Sequence, residues 1–167
     1  MSVILVCPDA EACAVAAEHA PSHVVSLASP GTPPPIVANL RRLALVFHDI
    51  AEPREGLVAP EAASVERLVA FGSAWSGEKP LLVHCRMGIS RSTAAAIILA
   101  AARRPSRPEV EIAQALRDAA PCATPNPLMI ALADRLLGRG GRLIEAVRAI
   151  GRGADYRPYR LAALDAD

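Results

Sequence analysis

Cys85 and Arg91 are the two side chains whose types and spacing point first to chemistry. They lie six residues apart in the stretch Pro80 to Ser92, PLLVHCRMGISRS. An apolar run (Leu81, Leu82, Val83) reads as a strand into His84 and Cys85. The chain then turns through Arg86, Met87, Gly88, Ile89 and Ser90, and Arg91-Ser92 opens an alanine-rich helical run ending near Ala102. A loop between a strand and a helix N-terminus suits a phosphate or similar oxyanion, because successive backbone N–H groups point inward and the helix dipole adds partial positive charge. A cysteine at the head of that loop feels the same field, which favours thiolate over thiol and makes Cys85 a candidate nucleophile. Arg91 returns to the loop's mouth, where its planar fork can hold two oxygens of a phosphoryl group. Gly88 permits the tight turn and the close approach of backbone to ligand.

The bare spacing says little here, because the chain has 18 basic residues of which Lys79 is the only lysine. Arginine is therefore common enough to fall six residues after a cysteine by accident. Of Cys7, Cys13, Cys85 and Cys122, however, only Cys85 has that arginine, together with a histidine before it, a glycine three residues after it and a serine behind the arginine. The motif gains its specificity from this context.

These residues resemble the signature of the cysteine-dependent protein tyrosine phosphatases, His-Cys-x5-Arg-Ser/Thr. The Gly-x-Ser-Arg-Ser ending resembles the single-domain, dual-specificity branch in particular. The resemblance extends over about Leu43 to Leu137 and is densest at 84–92. It implies a phosphomonoester hydrolase acting through a phosphocysteine on phosphorylated protein or small aryl phosphates. Backbone and side chains of Arg86, Met87, Gly88, Ile89, Ser90 and Arg91 would cradle phosphate, sulfate or vanadate. It further implies that Ser92 supplies the hydroxyl that steadies the cysteine thiolate, and that His84 orients the loop. No cofactor and no metal are called for.

A phosphatase of this kind also needs an acid for the leaving oxygen, since a tyrosine phenol has a pKa near 10 and an alkyl hydroxyl is more basic still. Asp49 is the first choice: it lies 36 residues before Cys85 and follows an apolar strand, Leu43–Phe47, a placement similar to that of the family's acid. His48, Glu52 and Glu55 compete for the role. Pro125-Asn126 resembles a late element of the family that buttresses the phosphate loop, and reads equally well as an asparagine cap before Pro127. Met87 stands where the family usually has a small residue. No counterpart of the Asn-Arg-Tyr phosphotyrosine-recognition loop is present, and the loop lacks the lysines that phosphoinositide phosphatases place there. Two other readings stay open: a rhodanese or arsenate-reductase type of cysteine enzyme, and a catalytically idle phosphate-binding module.

The rest of the chain must position these groups. At 167 residues, with 52% hydrophobic content, it suits one globular domain over 1–167, in which 152–167 reads as a strap or loose tail. A net charge of +1 gives no reason to expect nucleic acid or a membrane surface as partner. The cysteines have no paired spacing, so Cys7, Cys13 and Cys122 read as packing residues rather than redox partners, and the reading is a cytoplasmic protein. Strands are expected at Ser2–Cys7, His23–Ser29 and Leu43–Phe47, the last covered on both faces because it is continuously apolar. Asp9 is expected to cap a helix reaching Ala20, and Ser106-x-x-Glu109 reads as a capping box. Helices are expected over 60–76, from Arg91, through Ile112, Ala113, Leu116 and Ala120, from Asn126 to Leu137, and through Leu143, Ile144, Val147 and Ile150. Strands with helical crossovers followed by a run of helices make an α/β fold with a mainly parallel sheet flanked by helices, and a helical C-terminal half. Cys85 and Asp49 both fall at strand C-terminal ends, where such sheets bind ligands.

Overall fold

The computed structural model describes residues 2–37, 40–155 and 161–167. Its strands are β1 (Val3–Pro8), β2 (His23–Ala28), β3 (Arg41–Val46), β4 (Leu81–Cys85) and β5 (Ala162–Asp165). The helices are α1 (Ala12–His19), α2 (Ala62–Ser73), α3 (Arg91–Arg103), α4 (Glu109–Ala119), α5 (Pro127–Leu136) and α6 (Arg142–Ile150). The sheet runs β3-β2-β4-β1-β5, with β1, β2, β3 and β4 parallel and β5 antiparallel to β1. The expected α/β architecture is therefore present. All four parallel strands end on one edge, and Cys85 ends the central one.

Side chains of successive strand residues alternate between two layers. Ile4, Val6, Val25, Leu27, Leu81, Val83 and Cys85 join the large core that α2 to α6 complete. Leu5, Cys7, Val24 and Leu82 face the smaller core under α1. Helix α3 is buried from Arg91 through Ala101, as its apolar composition requires. Its alanines bring neighbours close: a Cβ on Gly72 of α2 would stand 2.4 Å from Leu99 Cδ2.

Two expectations fail here for a tertiary reason, and one of the two readings of the C-terminal segment falls away. β3 is not covered on both faces: it is the sheet's edge strand, with Leu43 and Leu45 buried but Ala44 exposed and Val46 53% exposed. A continuous apolar run cannot by itself separate an edge from a centre. Ser106 makes no capping box, since α4 begins after Pro108 with no side-chain cap. Glu109 is instead buried, 3.1 Å from Arg139 Nη1 and 3.3 Å from Arg142 Nε. The C-terminal segment is no loose tail over 161–167. Alternating buried and exposed residues in β5 pair with β1, Ser2 N–H donates to Asp167 Oδ2 at 2.6 Å, and Arg107 Nη1 donates to the Asp165 carbonyl at 2.7 Å. The part of that expectation falling on 156–160 lies outside the described residues. No helix of the described residues is long and apolar enough to cross a membrane.

The Arg139 guanidinium also donates to the carbonyls of Pro105 and Ala101, so one buried side chain joins α3, α4 and the loop before α6. Removing one partner of a buried ion pair leaves an uncompensated charge. Arg139→Ala is expected to lower stability by about 3 kcal/mol, the low end for such a loss because Arg142 remains beside Glu109. Urea unfolding followed by circular dichroism measures this.

Candidate active site

The site begins where β4 meets α3. Cys85 is buried in the large core's layer, and its Sγ lies 3.1 Å from Ser92 Oγ in the first turn of α3. The first N–H groups of a helix have no intrahelical acceptor, so those of α3 add to the loop's capacity for an anion. Gly88 has φ +70°, and a Cβ there would stand 2.8 Å from Pro8 N and 2.9 Å from the Cys7 carbonyl carbon. The end of β1 is thus a floor beneath the loop that only glycine accommodates. Arg86 and Met87 are exposed, while Gly88, Ile89 and Ser90 are half-buried.

Arg91 is only 4% exposed. Its Nη1 donates to the Phe47 carbonyl at 2.9 Å and to Ser29 Oγ at 3.0 Å, so the ends of β3 and β2 hold the guanidinium in place. Its Nε is buried and has no hydrogen-bond partner among the described residues. Asp49 Oδ2 lies 3.9 Å from that Nε, too far for a hydrogen bond.

Of the four candidate acids, Asp49 is the one that the fold brings to the loop. Its Oδ1 accepts from Ser90 Oγ at 2.7 Å and from Asn126 Nδ2 at 2.8 Å, and its side chain is 37% exposed. The competitors are occupied elsewhere. His48 Nδ1 accepts from Val58 N–H at 2.9 Å while its own N–H donates to the Val58 carbonyl at 2.7 Å, which closes the base of the loop between them. Glu52 is exposed and pairs with Arg54 at 3.5 Å; Glu55 is exposed.

Both readings of Asn126 hold together. Its Oδ1 caps α5 by accepting from Met129 N–H at 3.0 Å, while its Nδ2 donates to Asp49 and to the Ile50 carbonyl. Its N–H donates to the Ser90 carbonyl and Thr124 N–H to that of Ile89, so this segment also braces the loop. A cap and a buttress use opposite ends of one amide.

His84 is fully buried, with Nδ1 2.7 Å from Asp9 Oδ1 and Nε2 2.7 Å from Ser26 Oγ. Burial is the main cause pulling its pKa below the ordinary histidine value; Arg42 adds to this and Asp9 opposes it. The ring is therefore neutral at pH 7. Sequence reading missed Asp9, Ser26 and Ser29. Asp9 was expected as a helix cap, yet it starts a 3-10 turn without capping it, and its carboxylate is spent on His84. The available signal was a serine set among Val24, Val25 and Leu27 of β2.

Cys7 pairs with His84 in the β1–β4 register, but its side chain lies in the layer under α1, opposite to Cys85. Burial pushes its thiol up to about 12, with the charge of Asp9 as the next cause. All four cysteines are free.

The sequence matches no family model. No curated protein matches it either. Solved structures do match. The chain resembles DUSP15 with a TM-score of 0.64 at 19% identity, over 88% of this chain and 89% of that one. It resembles human DUSP28 with a TM-score of 0.62 at 20% identity, over 87% and 94%. A mouse putative dual specificity phosphatase complexed with zinc tungstate matches with a TM-score of 0.61 at 19% identity, over 86% and 84%. The fold is that of the dual-specificity phosphatases. At these identities the likeness carries the fold, and the chemistry has to be argued from the site itself.

Two outcomes follow from the geometry. Gly88→Ala forces backbone against backbone and imposes an unfavourable φ, at a cost of about 1–3 kcal/mol; vanadate affinity, read by thermal shift, is expected to fall roughly tenfold or more. Brief iodoacetamide treatment at pH 7 with peptide mapping is expected to leave Cys7 unmodified, because its buried thiol stays protonated.

Proposed function

We propose that the chain is a phosphomonoester hydrolase of protein tyrosine or dual-specificity type, working through a phosphocysteine. The observation that carries this is the half-satisfied guanidinium of Arg91. It is buried and clamped through Nη1 by Ser29 and Phe47, and it keeps Nε unpartnered beside a loop headed by Cys85. A buried cationic donor without an acceptor is costly, and a phosphoryl oxygen supplies both the acceptor and the opposite charge.

The steps then follow from the residues. The Cys85 thiolate attacks phosphorus in line, forming the S–P bond as the P–O bond to the leaving group breaks. Loop N–H groups and Arg91 neutralise the charge spread over the equatorial oxygens. Asp49 gives its proton to the leaving oxygen. Because Oδ1 already accepts two hydrogen bonds, from Ser90 and Asn126, the transferable proton belongs on Oδ2. In the second half the Asp49 carboxylate takes a proton from water, whose oxygen attacks phosphorus, and the S–P bond breaks to return the thiolate and inorganic phosphate. Ser92 Oγ, 3.1 Å from Sγ, donates to the departing sulfur.

Substrates fitting this site are phosphotyrosine and phosphoserine or phosphothreonine in proteins, and small aryl phosphates. Tungstate, held by the mouse relative, is itself a tetrahedral oxyanion. PTPMT1, solved with PI(5)P, is similar in fold at 14% identity with a TM-score of 0.60. This chain's loop carries Arg86, Met87, Ile89 and Ser90 and no lysine, which makes inositol phosphates the less favoured class. A rhodanese or arsenate-reductase mechanism requires no carboxylate poised over the loop, and an idle binding module requires no cysteine; both groups are present here. We read the protein as cytoplasmic, with phosphorylated protein as its partner.

Hydrolysis of p-nitrophenyl phosphate and of a phosphotyrosine peptide against pH tests the proposal. Wild type is expected to turn over both with inhibition by vanadate, and Cys85→Ser neither. Asp49→Asn is expected to lower kcat on the peptide by about 10²–10⁴-fold and to flatten the basic limb, with a smaller effect on the nitrophenyl ester, whose leaving group needs less protonation. A wild type that binds phosphopeptide without turnover would favour the idle module, and thiosulfate turnover the sulfur enzyme.

A further inference from the structure

The proposed mechanism leaves one buried polar chain unused. Asp9, His84 and Ser26 are far apart in sequence, yet they form a continuous line across the C-terminal ends of β1, β4 and β2, with both links at 2.7 Å. A carboxylate only accepts, so the shared proton at the first link is Nδ1–H. With the ring neutral, Nε2 then presents a lone pair, and Ser26 O–H donates to it. Asp9 is what selects this tautomer, since a serine hydroxyl serves equally well as donor or acceptor.

The same end of β1 touches the loop a second time, through the close approach of Pro8 to Gly88. Asp9 is 18% exposed and lines a cavity of about 210 Å³ with Ser29, Arg86 and Arg91, so it stands between His84 and the loop's arginines. Cys85 follows His84 directly, so a ring anchored at both nitrogens pins the backbone from which the nucleophile projects.

We infer that Asp9 is a positioning residue for Cys85, holding His84 in the Nδ1–H tautomer and with it the start of the anion loop. The inference rests on reading Cys85 as the nucleophile. Its hydrogen bond is to the His84 ring rather than to Cys85, so its effect belongs to kcat rather than KM. Asp9→Ala removes the acceptor, while Asp9→Asn keeps a carbonyl oxygen able to accept the same proton.

The test is side-chain ¹⁵N NMR of histidine-labelled full-length protein, combined with kinetics of the two variants. In wild type the His84 Nδ1 is expected to show the shift of a protonated nitrogen and Nε2 that of an unprotonated one. An Nε2–H ring or an imidazolium at neutral pH overturns the inference without any variant. In Asp9→Ala that single tautomer is expected to be lost, with kcat falling roughly tenfold to a hundredfold and KM within twofold, while Asp9→Asn retains the tautomer and most of kcat. Unchanged kcat in Asp9→Ala, or an unchanged tautomer, overturns the proposal. Should Asp9→Ala not fold, the asparagine variant decides: a tautomer lost there with kcat unchanged sinks the inference, and tautomer and kcat lost or kept together support it. The rate of Cys85 alkylation by iodoacetamide separates the two proposals. A rate altered by Asp9→Ala in a protein that hydrolyses no phosphoester supports the positioning role and removes the phosphatase reading; a rate unaltered there removes both.

Discussion

A buried guanidinium dictates the layout of this site. Arg91 sits at 4% exposure in the first turn of α3, and Asp49, the carboxylate beside its Nε, stays beyond hydrogen-bond distance at 3.9 Å. Burial of a charge is tolerable only when its donors are placed, and the fold places two of them by bringing Ser29 and the Phe47 carbonyl to the same nitrogen. That requires β2 and β3 to end level with β4, which their parallel registers ensure. What remains, Nε and the loop amides, is a deficit that a dianionic oxyanion removes. Local strain and unmet polar groups of this kind are a common arrangement at functional sites.

This explains which parts of the site were legible in the sequence. The loop and its flanks form one contiguous segment, so Cys85, Gly88, Arg91 and Ser92 announce themselves by spacing. Asp49 is readable because strand ends collect on one edge of a parallel sheet. Asp9, Ser26 and Ser29 are not, because their roles arise from pairing across strands that are distant in sequence, and a lone aspartate after a strand looks like a cap. The same limitation misassigned Glu109, whose partner Arg139 lies 30 residues on and arrives only when α4 packs against α6. It also hid the position of β3, since the order of strands in a sheet is not written in any one strand's composition.

The helical half and β5 show the converse. Periodicity found α2 to α6 with ends within a few residues because each helix buries one stripe against the sheet or its neighbours, and α3 stood out by having no polar stripe at all. β5 is four residues long and pairs on one side only. Its evidence is a short alternation, Ala162, Leu164 and Ala166 buried among exposed neighbours, too brief to distinguish from chance in a tail.

Asp49 is placed by a closed frame rather than by a free lid. The loop that follows Asp49 is exposed over 51–58, yet its base is fastened by two hydrogen bonds between His48 and Val58, and Asn126 holds both Asp49 and the Ile50 carbonyl from the start of α5. Ser90, itself part of the anion loop, supplies the last bond. Asp49 and the Cys85–Arg91 loop thus belong to one network through Ser90 and Asn126. Such coupling fixes Asp49 and the loop relative to each other. Met87 and the loop over 51–58 lie exposed at the rim, outside that frame.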